Sequence, residues 1–234
     1  MRHIRRNERG QLTIGGHIAV DLAERFGTPL YVYSGDGLVA HYAAFASAVS
    51  ELDCVVHYAV KANSSLGVLG LLAQQGAGAD IVSGGEMKRA LIAGIAPDKI
   101  VFSGVGKTDD EIRAALQAGI AQINAESATE LRHISQIAAE TERQAPVALR
   151  VNVNVDPGSH AKISTGQRST KFGIPVADGE AAMLYRQLCS DPNLIPRGLA
   201  VHIGSQLRKL DPFERAYQEL LALADMLRAE GLDV

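Results

Sequence analysis

Tryptophan is absent from the 234 residues, and cysteine occurs only twice, at Cys54 and Cys189. The two cysteines are far apart in the sequence and neither belongs to a CxxC pair, so the sequence predicts neither a disulfide framework nor a cysteine-based zinc site. The seven histidines also lack the close spacing of metal ligands. We therefore expect no metal centre.

Long apolar runs and an excess of one charge are missing as well. Lys and Arg number 23 against 26 Asp and Glu, and no basic run is interleaved with aromatic residues, which argues against a nucleic-acid partner. No segment reaches the roughly 18 uninterrupted apolar residues of a membrane span. The basic start, Met1 to Arg6, is followed by Asn-Glu-Arg-Gly and not by the apolar core of a secretory signal. We therefore expect a cytoplasmic protein without membrane contact.

From residue 54 onward the sequence repeats one unit: a short β-branched run, a polar or glycine-rich turn, and a helical pattern that ends in glycine. The predicted strands cover residues 54–60, 79–82, 99–102, 121–124, 147–153 and 198–203. Thr108-Asp-Asp-Glu111 and Ser127-Ala-Thr-Glu130 have the capping-box spacing that is typical of helix starts. Strands and helices that alternate in this way build a parallel sheet, so the sequence predicts an α/β fold.

This alternation fits both a (β/α)8 TIM-like barrel and an open doubly wound sheet. No G-x-G-x-x-G follows the first strand, which disfavours a dinucleotide-binding sheet. Six strands are complete and residues 232–234 resemble the start of a seventh, whereas a closed barrel needs eight. We therefore predict that residues 33–234 form an incomplete barrel, truncated at the start of the seventh strand.

Residues 1–32 precede the repeat and stand apart from it. Strand-like pieces at residues 11–14 and 28–33 lie on either side of a short helical pattern at 17–26. We interpret residues 1–32 as an N-terminal segment that contributes to a separate β-domain.

Lys61 ends the first strand of the repeat. The carboxyl ends of parallel strands are where such folds assemble their active sites, and a lysine amine that loses its proton can form a Schiff base with an aldehyde. The alternative is an ordinary solvated lysine at a strand end, and position alone does not decide between the two.

Other polar side chains follow the same rule of position. Asp80, Ser83 and Glu86 come just after the second strand, on the same rim as Lys61, although Ser83 and Glu86 also fit an ordinary helix start with a Gly-Gly turn. Arg150 lies within an apolar strand and needs a carboxylate partner, which Asp80 or Glu86 could supply. His202 ends the sixth strand: it is either a hydrogen-bonded core residue or a residue that lies flat on a ring cofactor while the Ser205 hydroxyl contacts a phosphate.

Five motifs occur in this order along the chain: Tyr58-Ala-Val-Lys-Ala-Asn63, Asp80-Ile-Val-Ser-Gly-Gly-Glu86, Leu149-Arg-Val-Asn-Val153, His160-Ala-Lys-Ile-Ser-Thr-Gly166 with Lys171-Phe-Gly-Ile174, and His202-Ile-Gly-Ser-Gln206. With them the chain closely resembles the fold-type III pyridoxal-phosphate decarboxylases, which share the alanine-racemase fold. Within that family it is most similar to the diaminopimelate decarboxylases. The ornithine and arginine enzymes differ at the motif of residues 160–174, which is the most specific of the five.

The resemblance implies a role for each matching residue. Lys61 would carry pyridoxal 5'-phosphate as a Schiff base and later exchange a proton near the substrate α-carbon. His202 would stack on the pyridine ring, and Ser205 would contact the phosphate. Arg150, paired with Asp80, would lie under the cofactor. The cofactor would act as an electron sink for the decarboxylation.

The resemblance also implies a reaction and an assembly. The substrate would be meso-2,6-diaminopimelate and the products L-lysine and CO2, the last step of lysine biosynthesis, in a homodimer that builds each active site across the subunit interface. Further cofactor and substrate ligands of the family come from segments that these residues do not include, so we expect residues 1–234 alone to release no CO2. Three alternatives stay open: an ornithine, arginine or carboxynorspermidine decarboxylase, a non-catalytic carrier of the cofactor, and a degenerate barrel kept for protein interaction.

Overall fold

A computed structural model describes residues 3–155 and 172–234 of the chain. The chain divides into two compact units. The first contains residues 1–79 and 85–99, and the second contains residues 80–84 and 100–234. None of the described helices is both long and apolar enough to cross a membrane.

The first unit begins with a small antiparallel sheet. Its strands are β1 (Ile4–Arg6), β2 (Leu12–Ile14) and β3 (His17–Ile18), and helix α1 (Ala19–Phe26) follows at once. This confirms the strand at 11–14 and most of the helix at 17–26, while β1 was not predicted. The sheet is separate from the parallel strands, although the unit to which it belongs extends well past residue 32.

The strand predicted at residues 28–33 is wrong, because these residues carry no strand in the structure. Pro29 has no amide to donate to a ladder, and Tyr31 and Tyr33 are largely exposed. The alternating apolar and aromatic residues of this segment suggested a strand, but the segment pairs with no other strand in the structure.

The rest of the first unit starts the predicted repeat. In chain order its elements are α2 (Gly35–Ala48), β4 (His57–Ala59), α3 (Leu66–Gln74), the first half of β5 (Gly78–Ile81) and most of α4 (Gly84–Ile92). A single 3-10 turn, Val60–Ala62, separates β4 from α3. Val68, Leu72 and Ala77 form a small core against which Tyr58 packs.

The second unit continues the repeat with parallel strands and intervening helices. Its elements are the second half of β5, β6 (Ile100–Phe102), α5 (Asp109–Ala118), β7 (Gln122–Ala125), α6 (Ala128–Glu140), β8 (Ala145–Asn152), β9 (Ile174–Pro175), α7 (Glu180–Ser190), β10 (Leu194–Val201) and α8 (Asp211–Ala229). Neighbours in the sheet follow the order β10-β8-β7-β6, and the short β9 adds to β8. The order advances steadily along the chain and never reverses among these strands, as in a barrel and unlike a doubly wound sheet.

Two helix starts test the predicted capping boxes. At α5 the box is complete: the Thr108 hydroxyl accepts a hydrogen bond from the Glu111 amide, and the Glu111 carboxylate accepts one from the Thr108 amide. At α6 only half forms, because Ser127 accepts the Glu130 amide while the Glu130 carboxylate accepts the amide of Glu126 instead. The spacing therefore located both helices correctly and one hydrogen bond incorrectly.

Residues 232–234 are not in a strand. The hydroxyl of the buried Tyr185 donates a 2.6 Å hydrogen bond to the Asp233 carbonyl, so a side chain takes the place of a ladder partner. Burial raises the pKa of Tyr185 to about 12, which keeps this hydroxyl protonated as a donor. The predicted seventh strand is thus absent from the residues that the structure describes.

Candidate active site

The strands of the second unit have one apolar and one polar face. Residues that pair across a parallel sheet lie on the same face. One face of β6, β7 and β8 has a fully buried apolar row, in which Phe102 pairs with Ile123 and Ile123 with Val147. On the other face Asn124 pairs with Ala148. Because side chains alternate along a strand, Arg150 lies on this second face, two residues beyond Ala148.

Six polar side chains line this second face in or just after β5 to β8; Gln122 begins β7, and the other five lie towards the carboxyl ends of their strands. We call this set the polar strip: Asp80, Ser103, Gln122, Asn124, Glu126 and Arg150. All six belong to the second unit.

A hydrogen-bond chain orders the first part of the polar strip. The Ser103 hydroxyl donates to Asp80 Oδ1. Asn124 Nδ2 donates to Ser103 Oγ at 3.0 Å, and Gln122 Nε2 donates to Asn124 Oδ1 at 2.6 Å. Side chains from β7 and from the residue after β6 thereby hold the Asp80 carboxylate of β5 in one orientation. Asp80 was expected just after its strand but lies within β5, as the third of its four residues, and its role stays a prediction.

Arg150 pairs with Glu126 and not with Asp80. Arg150 Nη1 lies 2.7 Å from Glu126 Oε1, and the two side chains are only 11% and 3% exposed. The expected Arg150–Asp80 pair is wrong because β5 is three strands from β8 in the sheet order, which amounts to roughly 14 Å at about 4.8 Å per strand. Glu126 follows β7, the strand directly beside β8.

Glu126 was missed by the sequence analysis, although a signal for it exists. Gln122, Asn124 and Glu126 are polar at every second position, which predicts one polar face that continues beyond the end of β7. Ile123 and Ala125, which alternate with these residues, indicate the buried face of the strand, whereas the polar positions indicate its other face. A search for polar alternation in buried strands would have found Glu126.

The other side of the Arg150 guanidinium faces an aromatic ring. Arg150 Cζ lies 5.3 Å from the centre of the Phe172 ring, within the range of a cation–π contact. Asn152 Nδ2 donates to the Phe172 carbonyl at 3.2 Å. Gly173 has φ +76°, and a Cβ there would come within 3.1 to 3.3 Å of the β8 backbone, so only glycine fits this approach. Residues 160–171 of the predicted substrate motif lie outside the described residues.

Lys61 lies in the 3-10 turn that directly follows β4, so it stands at the carboxyl end of that strand as predicted, while its role stays a prediction. Its side chain is exposed and has no hydrogen-bond or ion-pair partner among the described residues. The Tyr58 hydroxyl braces the turn by donating to the Asn63 carbonyl at 3.3 Å. Burial, followed by the proximity of Tyr33, raises the pKa of Tyr58, so the hydroxyl remains a donor.

His202 and Ser205 follow β10. Ala200 pairs with Arg150 across β10 and β8, and the half-buried His202 comes two residues later. Ser205 is exposed in the next turn, between Gly204 at φ +140° and Gln206 at φ +60°. The structure thus places both residues at the carboxyl end of a strand, as predicted, and their contacts with a cofactor stay predictions. The described residues contain no His, Cys, Asp or Glu cluster suited to a metal ion.

Comparison with known proteins identifies the family. The sequence model of the pyridoxal-dependent decarboxylase pyridoxal-binding domain matches residues 36–234. Diaminopimelate decarboxylase of Pseudomonas fluorescens is 52% identical over 224 residues, which are 95% of this chain and 53% of that protein. The Vibrio cholerae enzyme of the same name is 49% identical over 97% of this chain and 54% of its own length.

The solved structures agree. Diaminopimelate decarboxylase from M. jannaschii in co-complex with L-lysine superposes with a TM-score of 0.92 at 37% identity, covering 100% of this chain and 55% of that one. The chain therefore spans about half the length of the curated relatives it matches. It belongs to the pyridoxal-dependent decarboxylase family and corresponds to the pyridoxal-binding domain of that family.

Proposed function

We propose that the protein carrying this chain is a pyridoxal-phosphate-dependent decarboxylase that converts meso-2,6-diaminopimelate into L-lysine and CO2. The observation that carries the proposal is the 49–52% identity to diaminopimelate decarboxylases over nearly the whole chain. The co-complex of the M. jannaschii relative with L-lysine supports the same substrate class. We further propose that the protein works in the cytoplasm as a homodimer, as the resemblance implies.

The residues present fit the cofactor. Lys61 offers an exposed amine at a strand end, and the polar strip offers oriented donors and acceptors in the second unit. Glu126 Oε2 is buried without a hydrogen-bond partner among the described residues, which indicates that this part of the strip is not built for packing alone. When bound, pyridoxal phosphate supplies the electron sink that decarboxylation requires.

We assign five residues to the cofactor. Lys61 binds it covalently and exchanges a proton at the substrate α-carbon, while His202 lies against the ring and Ser205 donates to the phosphate. Arg150 supplies a guanidinium to the cofactor, and Asp80, held by Ser103, presents a fixed carboxylate. Each assignment combines the motif resemblance with a position at the carboxyl end of a strand.

The first experiment locates the covalent bond. The full-length gene product is loaded with pyridoxal phosphate, reduced with borohydride and mapped by peptide mass spectrometry, and we expect the reduced cofactor on Lys61. Lys61→Ala should lower diaminopimelate decarboxylation by about a thousandfold or more, because the lost amine serves both binding and proton transfer. Lys88→Ala, which removes an exposed lysine from α4, is the matched control and should leave the rate unchanged. A label on any other lysine would overturn the site.

The second experiment locates the substrate. The same gene product is assayed for CO2 release from diaminopimelate, ornithine, arginine and carboxynorspermidine. We expect diaminopimelate to have the highest kcat/KM. A preference for another of these amines would replace the proposed substrate, and cofactor binding without turnover of any of them would favour the carrier alternative.

A further inference from the structure

Glu126 is a buried carboxylate to which neither the motifs nor the proposed roles give a task. We propose that Glu126 is a positioning residue that holds the Arg150 guanidinium in place for the anionic cofactor. This inference rests on the proposed function, since it presupposes that the polar strip receives pyridoxal phosphate.

The geometry of the pair is that of a support and not of a ligand site. The Glu126 side chain is 3% exposed, and its Oε2 atom is closed to solvent without a hydrogen-bond partner among the described residues. A group so enclosed cannot reach a bound molecule itself. It can act on one only through the residue that it touches, and its Oε1 lies 2.7 Å from Arg150 Nη1.

Most N–H donors of Arg150 have no acceptor in the part of the chain that the structure describes. A guanidinium has five N–H donors, and within the described part of the chain Glu126 is the hydrogen-bond acceptor that Arg150 uses. Phe172 covers the cation at 5.3 Å without using a donor. One carboxylate and one ring therefore fix the plane of the guanidinium, and its remaining N–H groups have no acceptor among residues 3–155 and 172–234, which leaves them for an anion in our proposal.

Two effects of removing the Glu126 charge oppose each other, which makes the test decisive. Loss of a nearby negative charge would by itself favour the binding of an anion. Loss of the support frees the Arg150 side chain and weakens binding. The lost charge therefore does not explain weaker cofactor binding in Glu126→Gln, whereas a displaced guanidinium does, and weaker binding is the outcome that the proposal predicts.

The experiment is a double-mutant cycle on the full-length gene product, with the dissociation constant of pyridoxal phosphate measured by absorbance titration. We expect Glu126→Gln to raise this constant roughly tenfold, by analogy with the loss of outer-shell groups that orient metal ligands. In the Arg150→Met background the same substitution should change it less than about twofold, because the residue through which Glu126 acts is gone. Glu126→Asp, which retains the charge, should recover part of the affinity.

A control separates positioning from folding. Glu111→Gln removes another carboxylate of the second unit, which caps α5 and accepts the Gly84 amide but does not contact Arg150, and it should lower the unfolding midpoint of the cofactor-free protein without changing the dissociation constant. Equal or tighter binding in Glu126→Gln would overturn the inference, as would an equal effect of the substitution in both Arg150 backgrounds. Failure of the unsubstituted protein to bind pyridoxal phosphate would instead refute the proposed function.

Discussion

Two buried ion pairs of the second unit differ in how completely their hydrogen bonds are made. Lys107 is 1% exposed, and its ammonium donates to the Gly104 carbonyl, the Asn124 carbonyl and Glu130 Oε1 at 2.6, 2.8 and 2.8 Å. The other Glu130 oxygen accepts the Glu126 amide at 2.7 Å. Arg150 and Glu126 share a single hydrogen bond, and Glu126 Oε2 has no partner in the described part of the chain.

The difference separates a pair whose hydrogen bonds are complete within the described residues from a pair that leaves hydrogen-bonding groups unused there. An ammonium has three donors, and Lys107 uses all of them within the protein, so it has nothing left to offer a bound molecule. Nearly all buried polar groups in folded proteins are satisfied, and the exceptions need an explanation such as a functional role. The Arg150–Glu126 pair is such an exception, and it lies on the strand face whose hydrogen-bond chain reaches Asp80.

The largest loss of stability should come from breaking the Lys107–Glu130 pair, whose hydrogen bonds are all made. Lys107→Met removes three hydrogen bonds and leaves the Glu130 carboxylate buried without its cation, so we expect the free energy of unfolding to fall by about 3–5 kcal/mol. Urea unfolding of the cofactor-free protein, monitored by circular dichroism, measures this. Arg113→Met breaks an ion pair with Glu140 that is 36% and 40% exposed and serves as the control, with little expected change. If Lys107→Met lowered the free energy of unfolding only slightly, the Lys107–Glu130 pair would not be the structural pair that the comparison with Arg150–Glu126 assumes.

A smaller effect should come from the ring beneath Arg150. Phe172→Leu keeps an apolar side chain but removes the cation–π contact, so we expect a loss of about 1 kcal/mol of unfolding free energy. Phe213→Leu, at a more exposed phenylalanine of α8, controls for the general cost of this exchange. In the Arg150→Met background the loss should nearly vanish. If it persists there, Phe172 contributes through packing alone and the guanidinium is held by Glu126 only.

The elements were more predictable than their contacts. The parallel strands and the helix at Thr108 follow from local patterns, namely apolar periodicity and cap spacing, which a short stretch of sequence contains. Lys61, His202 and Ser205 could be placed at strand ends for the same reason. Their roles rested on motif resemblance, because no local pattern encodes what a side chain touches.

The partner of Arg150 could not be predicted in the same way. Choosing between Asp80 and Glu126 requires the sheet order, which depends on how distant segments pack. The prediction of a strand at residues 28–33 was wrong for the same reason: a strand needs a pairing partner, and the local sequence does not show whether one is present. Local chemistry thus predicted which residues need partners, and only the fold supplied the partners.

The smallest expected effect on stability comes from Glu111. Both of its carboxylate oxygens accept hydrogen bonds, as in the Lys107–Glu130 pair, but it lies nearer the surface. Hydrogen bonds from the Gly84 amide and then from the Thr108 amide lower the pKa of Glu111 below its usual 4.5. A carboxyl group whose pKa is lower in the folded state stabilises the fold above its unfolded pKa, and this contribution is lost as the pH falls through the folded pKa. Glu111→Gln cannot titrate, so the stability advantage of the unsubstituted protein should be constant near neutral pH and shrink below about pH 4.5. Thermal unfolding midpoints measured from neutral to acidic pH test this, and a gap that stays constant to low pH would show that the carboxylate charge contributes nothing at this cap.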